Sequence, residues 1–293
     1  MKKLIFIIFS LLLSFNSYSE SGCSEKASKE NILKSSIFFQ DRFNLFYLPN
    51  QPEPYLGEDL CIFKDASGQY YLKGSIKNGK KHGKYTWWYE NGQKSSEGSY
   101  IDGKWDGKWT WWYEDGKKKS DGIYKNDKRD GKWTWWYDNR QIEQEVSYKE
   151  GVLNNKHIEW YKDGQKRKEH NFINGIKTGK WALWFPNGQI KSEDNFKNGI
   201  HDGKRMEWYE NGQQRMDTTF LDGKKIGKRT WWYPNGQMER EAFYQDGKYY
   251  GEWTIWWENG DKKSETLYKD GEEVKLTEWN ENGKKKGSCW ILC

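Results

Sequence analysis

The sequence predicts an all-β protein: an elongated, mostly single-layer antiparallel meander of about nine 24-residue β-hairpin repeats behind a short N-terminal cap. Three observations predict it. Hydrophobic residues make up 34% of the 293 residues and aromatics 18%, leaving 16% for the aliphatics, Met and Cys together. Helical and α/β cores are filled with Leu, Ile, Val and Ala, and that stock is missing. The 20 Trp, 19 Tyr and 13 Phe are strand formers that bury large areas. They also argue against the disorder that 31% charged residues would otherwise suggest. Second, 30 Gly against five Pro indicate many tight turns. Third, the chain repeats itself at a fixed period of 24 residues.

Residues 1–19 read as a signal peptide. Lys2 and Lys3 precede an apolar run from Leu4 to Phe15, too short to span a bilayer comfortably, and Ser17 and Ser19 suit cleavage after Ser19. The expected location is therefore the periplasm, outer envelope or extracellular space. A competing lipid anchor at Cys23 is supported by Gly22 and opposed by Glu20, Ser21 and the gap after Phe15. Residues 20–58 form a cap or connector: 25–45 is compatible with a helix, and 46–55, with Pro49, Pro52 and Pro54, reads as extended. The array occupies 59–288, and 289–293 is a cysteine-containing tail. Cys23, Cys61, Cys289 and Cys293 all lie outside the regular repeats. In an exported chain they are disulfide candidates that staple the two ends, with three pairings open.

With Gly83 as position zero, the same slot holds Gly107, Gly131, Asn155, Gly179, Gly203, Gly227 and Gly251. Position five is Trp in every unit, from Trp88 to Trp256, and Trp279 follows one residue early. Position seventeen is always Tyr or Phe and position fourteen always acidic, as in Tyr100 and Glu97. Two turn signals divide each unit. Asn91-Gly92 and its equivalents predict a two-residue type I′ turn, and Asp102-Gly103 a second turn followed by a short loop. A two-residue first turn sets position seven opposite ten, five opposite twelve and zero opposite seventeen. A ring at seventeen would then lie over the bare glycine at zero. Positions two, four, six and seventeen share one face by the period-two rule. Lys at position one lies diagonal to the acid at fourteen on the other. Arg140 and Asn155 replace glycines, which predicts a weaker or differently shaped hairpin over 131–155.

Lys77-Asn78-Gly79-Lys80-Lys81-His82-Gly83-Lys84-Tyr85 resembles the core of a MORN repeat. The unit from Gly131 to Tyr148 is similar to the bacterial MORN-repeat-variant family. The resemblance covers about three quarters of the chain. It implies single-layer antiparallel hairpins, and roles in protein scaffolding or phospholipid contact. Some bacterial members are labelled antitoxins, a cytosolic role at odds with the export signal.

Catalytic constellations are absent from the sequence. His82, His157, His170 and His201 form no HxxxH or HExxH pattern, no phosphate loop precedes a helix, and no cofactor or metal is expected. The net charge of +6 falls to +4 without Lys2 and Lys3, and the signs alternate, so nucleic acid is not an expected partner. The acids at position fourteen recur identically and read as architectural. Functional promise lies in the aromatic face: Trp87, Tyr89, Trp109, Trp111, Tyr113, Trp133, Trp135, Tyr137, Trp231, Tyr233 and Trp253. Position four varies, from Trp87, Trp111, Trp135 and Trp231 to Glu159 and Glu207, as a graded binding surface would. The expected function is non-enzymatic: a scaffold that binds a protein partner or self-associates. The alternative is a glycan- or cell-wall-binding protein using Trp and Tyr stacking. Phospholipid contact is a third, weaker option.

Overall fold

The structure is a computed structural model that describes residues 40–42, 45–47, 59–64, 69–78 and 80–290. The signal peptide, Cys23 and Cys293 lie outside the described residues. Every regular element among the described residues is a strand. Ahead of the array, Gln40–Arg42 pairs antiparallel with Leu45–Tyr47, so strand occupies the described end of the segment compatible with a helix. The described residues fall into two compact units. One runs to Lys118 and takes in 124–127; the other comprises 119–123 and everything from Lys128.

Within each unit the strands form an antiparallel meander in chain order, as the repeats predict. In the first unit Asp59–Lys64 pairs with Gln69–Lys77, which pairs with Lys80–Trp88. Lys94–Ile101 follows, and then Lys104–Trp112. The second unit continues the pattern from Lys128–Trp136 and Ile142–Lys149 to Glu272–Trp279 and Lys285–Trp290. That last strand carries Cys289 and Trp290, so the array crosses the predicted boundary at 288. The segment after Asp102-Gly103, read as a loop, belongs to the strand Lys104–Trp112.

The two turns exchange the roles the sequence suggested. At the Asn-Gly turn, Tyr89 N donates to the Gln93 carbonyl at 2.8 Å and Gly92 N to the Tyr89 carbonyl at 3.0 Å. Three residues form the loop, and only Gly92 has positive φ, at 83°. This is a type I turn closed by a left-handed glycine. Asn91 holds it, because its Oδ1 accepts from Gln93 N at 3.0 Å. The two-residue type I′ turn occurs instead at Asp102-Gly103, with φ of 50° and 84° and Ile101 opposite Lys104.

The longer first loop changes the register. Position five pairs with eleven (Trp88 with Lys94) across a bulge, not with twelve, whereas zero pairs with seventeen (Gly83 with Tyr100) as predicted. The glycine at zero lies at a second bulge, between Glu97/Thr110 and Ser99/Asp106. Gly107 there has φ 80°, and its nearest neighbour, Ser99 Cβ, is 4.0 Å from where a Cβ would stand. Left-handed backbone, not a covering ring, is what glycine supplies at position zero.

The hairpin over 131–155 keeps the common shape. Arg140 adopts φ 73° and Asn155 φ 67°, and Arg140 N still donates to the Tyr137 carbonyl at 3.0 Å. The departures from glycine therefore appear as strain, not as a different geometry.

Candidate binding face

Three ladders fix the backbone and leave one face free to vary. The first belongs to the tyrosine at position six. Tyr89, Tyr137, Tyr161, Tyr209 and Tyr233 each donate from Oη to the carbonyl of a tryptophan 23 residues on, at 2.7–2.9 Å. Tyr89, Tyr137 and Tyr233 were expected on the binding face; the structure commits their hydroxyls to the neighbouring repeat. The second ladder is built by the turn asparagines. Asn91, Asn139, Asn187 and Asn211 each donate from Nδ2 to a carbonyl of the next turn at 2.7–2.8 Å. The third is the Lys–Glu diagonal: Lys84 to Glu97 at 3.1 Å, Lys132 to Glu145 at 2.6 Å and Lys156 to Glu169 at 2.7 Å. These exposed pairs contribute a few tenths of a kcal/mol each. Burial pushes the Glu97 carboxyl up, but Lys94 and Lys84 outweigh it and hold it below the usual range.

On the opposite face, the ring at position two packs against position fifteen of the preceding repeat. A Cβ on Gly98 would come within 2.0 Å of the Trp109 ring, and one on Gly122 within 2.2 Å of Trp133. Ring over glycine is therefore real, but at a different glycine from the one the sequence suggested. Trp109 and Trp133 are each only 1% exposed. Their Nε1 atoms donate to the Ser99 and Ile123 carbonyls at 3.1 and 3.0 Å. Both were expected to line the binding face; they form its floor.

Position twenty-two, in the stretch read as a loop, covers that floor. Trp105 stacks on Trp109 at 4.0 Å and 15°, and Tyr249 on Trp253 at 4.9 Å and 15°. Arg129 lies 4.7 Å over Trp133 and Lys177 4.5 Å over Trp181. The signal was present in the sequence, since Lys81, Trp105, Arg129, Lys177, Lys225 and Tyr249 recur in phase as a cation or a ring.

In the first unit the face is dominated by aromatic rings. Tyr85, Tyr100 and Trp109 are buried beneath the partly buried Leu72, Trp87, Trp105, Trp111 and Tyr124. Trp111 stacks at 5.9 Å from Trp105 and 5.7 Å from Trp109. Burial pushes the Tyr85 and Tyr100 hydroxyls well above the usual phenol range. Tyr113 is half-buried at the turn, its N donating to the Lys117 carbonyl at 2.8 Å.

In the second unit the same slots alternate between rings and ions. Trp135 sits 5.7 Å from Trp133, under Arg129 at 5.4 Å. Glu159 then gathers His157 at 3.1 Å, Arg167 at 3.7 Å and Lys168. Burial raises the Glu159 pKa, but the hydrogen bond and charge of Lys168, with His157 and Arg167, bring it below the usual range. His170 stacks on Trp181 at 3.7 Å, and burial with the Lys168 charge holds it down to about 4. Asp194 contacts His201 and Arg205, both at 3.4 Å, and Arg205 also reaches Glu207 at 2.7 Å. Burial pushes Asp194 up despite Arg205 and His201. Rings return at Trp231, between Arg229 at 4.2 Å and Arg240 at 5.0 Å, and at half-buried Trp253.

Among the described residues no group of His, Cys, Asp and Glu could hold a metal ion. Cys289 is exposed and unbridged, and Cys61 lies in the strand Asp59–Lys64.

Six segments, 81–102, 105–126, 129–150, 177–198, 225–246 and 249–270, match the MORN repeat variant family. These six segments are MORN repeat variants. Each match begins at position twenty-two. The two intervening frames, 153–174 and 201–222, are the ones with Glu159 and Glu207 at position four. No curated protein matches the chain. Among solved structures, the crystal structure of TcdB2-TccC3-Cdc42 is 11% identical over 81% of this chain, with a TM-score of 0.18. That of TcdB2-TccC3 is 10% identical over 75%, with a TM-score of 0.16. The chain spans 14% of the length of each.

Proposed function

We propose that this MORN-repeat-variant protein is exported, is not an enzyme, and acts as a protein-binding or assembly scaffold through the face built by positions two, four, thirteen, fifteen and twenty-two. One observation carries the reading. The residues that stitch the backbone keep the same chemistry in most repeats, whereas positions two and four of this face pass from Trp109 and Trp111 to Arg205 and Glu207. A rigid repeat frame with a variable face suits an extended partner or a second copy.

The glycan reading has its own support, the near-parallel rings of Trp105, Trp109 and Trp111, inclined by 15–25°. Such a platform suits the apolar faces of sugars. Phospholipid contact draws on exposed aliphatics beside the type I′ turns, Ile173 at 58% and Ile176 at 53%.

Affinity capture on residues 20–293 from envelope extract, with and without competing sugars, separates these readings. The control is Trp135→Glu, a residue the fold already carries in that slot at 159 and 207. A protein retained near stoichiometry, insensitive to sugar and lost with Trp135→Glu, is the expected result. Retention of wall polymer alone, released by sugar, would replace the scaffold with the glycan reading.

A further inference from the structure

The arginines at position two are treated differently in two successive repeats. Arg205 is answered within the chain, by Asp194 at position fifteen of the preceding repeat and Glu207 at position four of its own. One repeat later the same slots around Arg229 hold Thr218 and Trp231. Among the described residues no carboxylate forms an ion pair with Arg229 or with Lys225 beside it. Arg229 Nε and Thr218 Oγ1 are both buried atoms without a hydrogen-bond partner. Arg229 lies over Trp231 at 4.2 Å, Arg240 over the same ring at 5.0 Å, and Lys225 over Tyr244 at 5.1 Å. Arg240 alone of the three has an acid, Glu239 at 2.6 Å. Burial and the neighbouring charges of Arg229 and Arg205 pull the Lys225 ammonium below its ordinary value. Arg229 and Arg240 thus flank the Trp231 ring and Lys225 lies over Tyr244, while the slots that hold Asp194 and Glu207 one repeat earlier carry no carboxylate.

We propose that Arg229, with Lys225 and Arg240, seats a carboxylate supplied by an acidic, extended segment of the protein partner. The inference rests on the scaffold reading and names the chemistry of the partner. The chain itself demonstrates the fit: in the preceding repeat an Asp and a Glu borne on strands meet Arg205 in these slots. A guanidinium presents its donors in the planar fork that a carboxylate matches.

The test uses the full chain and two fluorescein-labelled peptides, one alternating Glu and Thr and the other Gln and Thr, read by anisotropy. The Glu peptide should bind at least about tenfold tighter than the Gln peptide. Arg229→Gln should remove about that factor. Thr218→Asp should do the same, because it restores the acid that Asp194 supplies to Arg205. Its urea midpoint should hold or rise, which separates a blocked slot from a misfolded protein. Lys132→Gln, a change to the opposite face, should leave binding unchanged.

Equal binding of the two peptides would overturn the assignment. So would loss of binding with Lys132→Gln, or insensitivity to Thr218→Asp. Tighter binding of oligogalacturonate, with the same dependence on Arg229, would transfer the slot to an acidic glycan and overturn the peptide. Repeating the affinity capture with Thr218→Asp separates the two levels. A protein still retained leaves the scaffold standing without this slot, whereas no protein retained by the wild type removes the scaffold itself.

Discussion

Trp109 and Arg205 occupy the same position in two different repeats, and their surroundings differ completely. Trp109 lies on Gly98 beneath Trp105, 1% exposed, with its indole N–H on a backbone carbonyl. Arg205 lies among Asp194, His201 and Glu207. The backbone register between the neighbouring repeats is the same: Ser96 pairs with Trp111 as Ser192 pairs with Glu207. Positions two and fifteen therefore behave as a matched pair. A flat ring needs a residue without a side chain opposite, and a guanidinium needs an acid. The ladders on Tyr89, Asn91 and Lys84 fix the strands, so the pair can be exchanged without moving them.

The largest expected effect tests the ring side. Trp109→Ala should lower unfolding stability by about 3–5 kcal/mol, read from urea titration, because the void beneath Trp105 cannot be filled by a glycine. A change below about 1 kcal/mol would show that Trp105 collapses onto the floor and that the ring is dispensable.

Next is the exchange itself. Arg205→Met leaves Asp194 buried with His201 alone and should cost about 1–3 kcal/mol. Adding Trp at 205 with Gly at 194 imports the aromatic solution and should recover at least half of that loss. If the double variant is worse than the single one, the two positions are not an exchangeable pair.

The ionic repeats should also respond to acid where the aromatic ones do not. His157, His170 and His201 are all held below the ordinary histidine value of 6.5, His170 at about 4, chiefly by burial. Between about 6.5 and 4 the unfolded chain binds more protons than the folded one, so stability present above 6.5 is lost as pH falls through that window. Asp194, pushed up by burial, works in the opposite sense above its ordinary carboxylate value. Hydrogen exchange at pH 7 and pH 4.5 should show earlier opening over 155–220 than over 80–112. Equal opening, or an unaltered response in His170→Phe, would contradict this.

Arg140→Gly should raise stability by about 1 kcal/mol by relieving a left-handed arginine, with the turn hydrogen bonds of Tyr137 intact. Removing one rung of the charged ladder should matter least. Lys132→Ala should change stability by less than about 0.5 kcal/mol, less still at high salt.

The array, its antiparallel hairpins and the Lys–Glu diagonal follow from the sequence, because a 24-residue period with alternating apolar and polar slots has few other solutions. Trp87, Trp111, Trp135 and Trp231 were also legible, as a variable slot on the face that does vary. The turn types were not. Asn-Gly and Asp-Gly look alike in sequence, yet the Asn91 side chain caps Gln93 N and closes a three-residue loop, whereas Asp102 takes positive φ itself. That single residue shifts the register past the turn and turns Tyr89 to the next repeat's backbone. The lids Trp105, Arg129 and Tyr249 were hidden because the bulge at position zero lets a strand continue where a loop was expected. The sequence by itself determined which residues repeat and that they alternate between two faces. Only the tertiary structure decided which glycine lies under a ring, which tryptophans are sealed, and which arginine was left without its acid. Those outcomes depend on contacts between neighbouring hairpins, which lie about a full period apart in the chain.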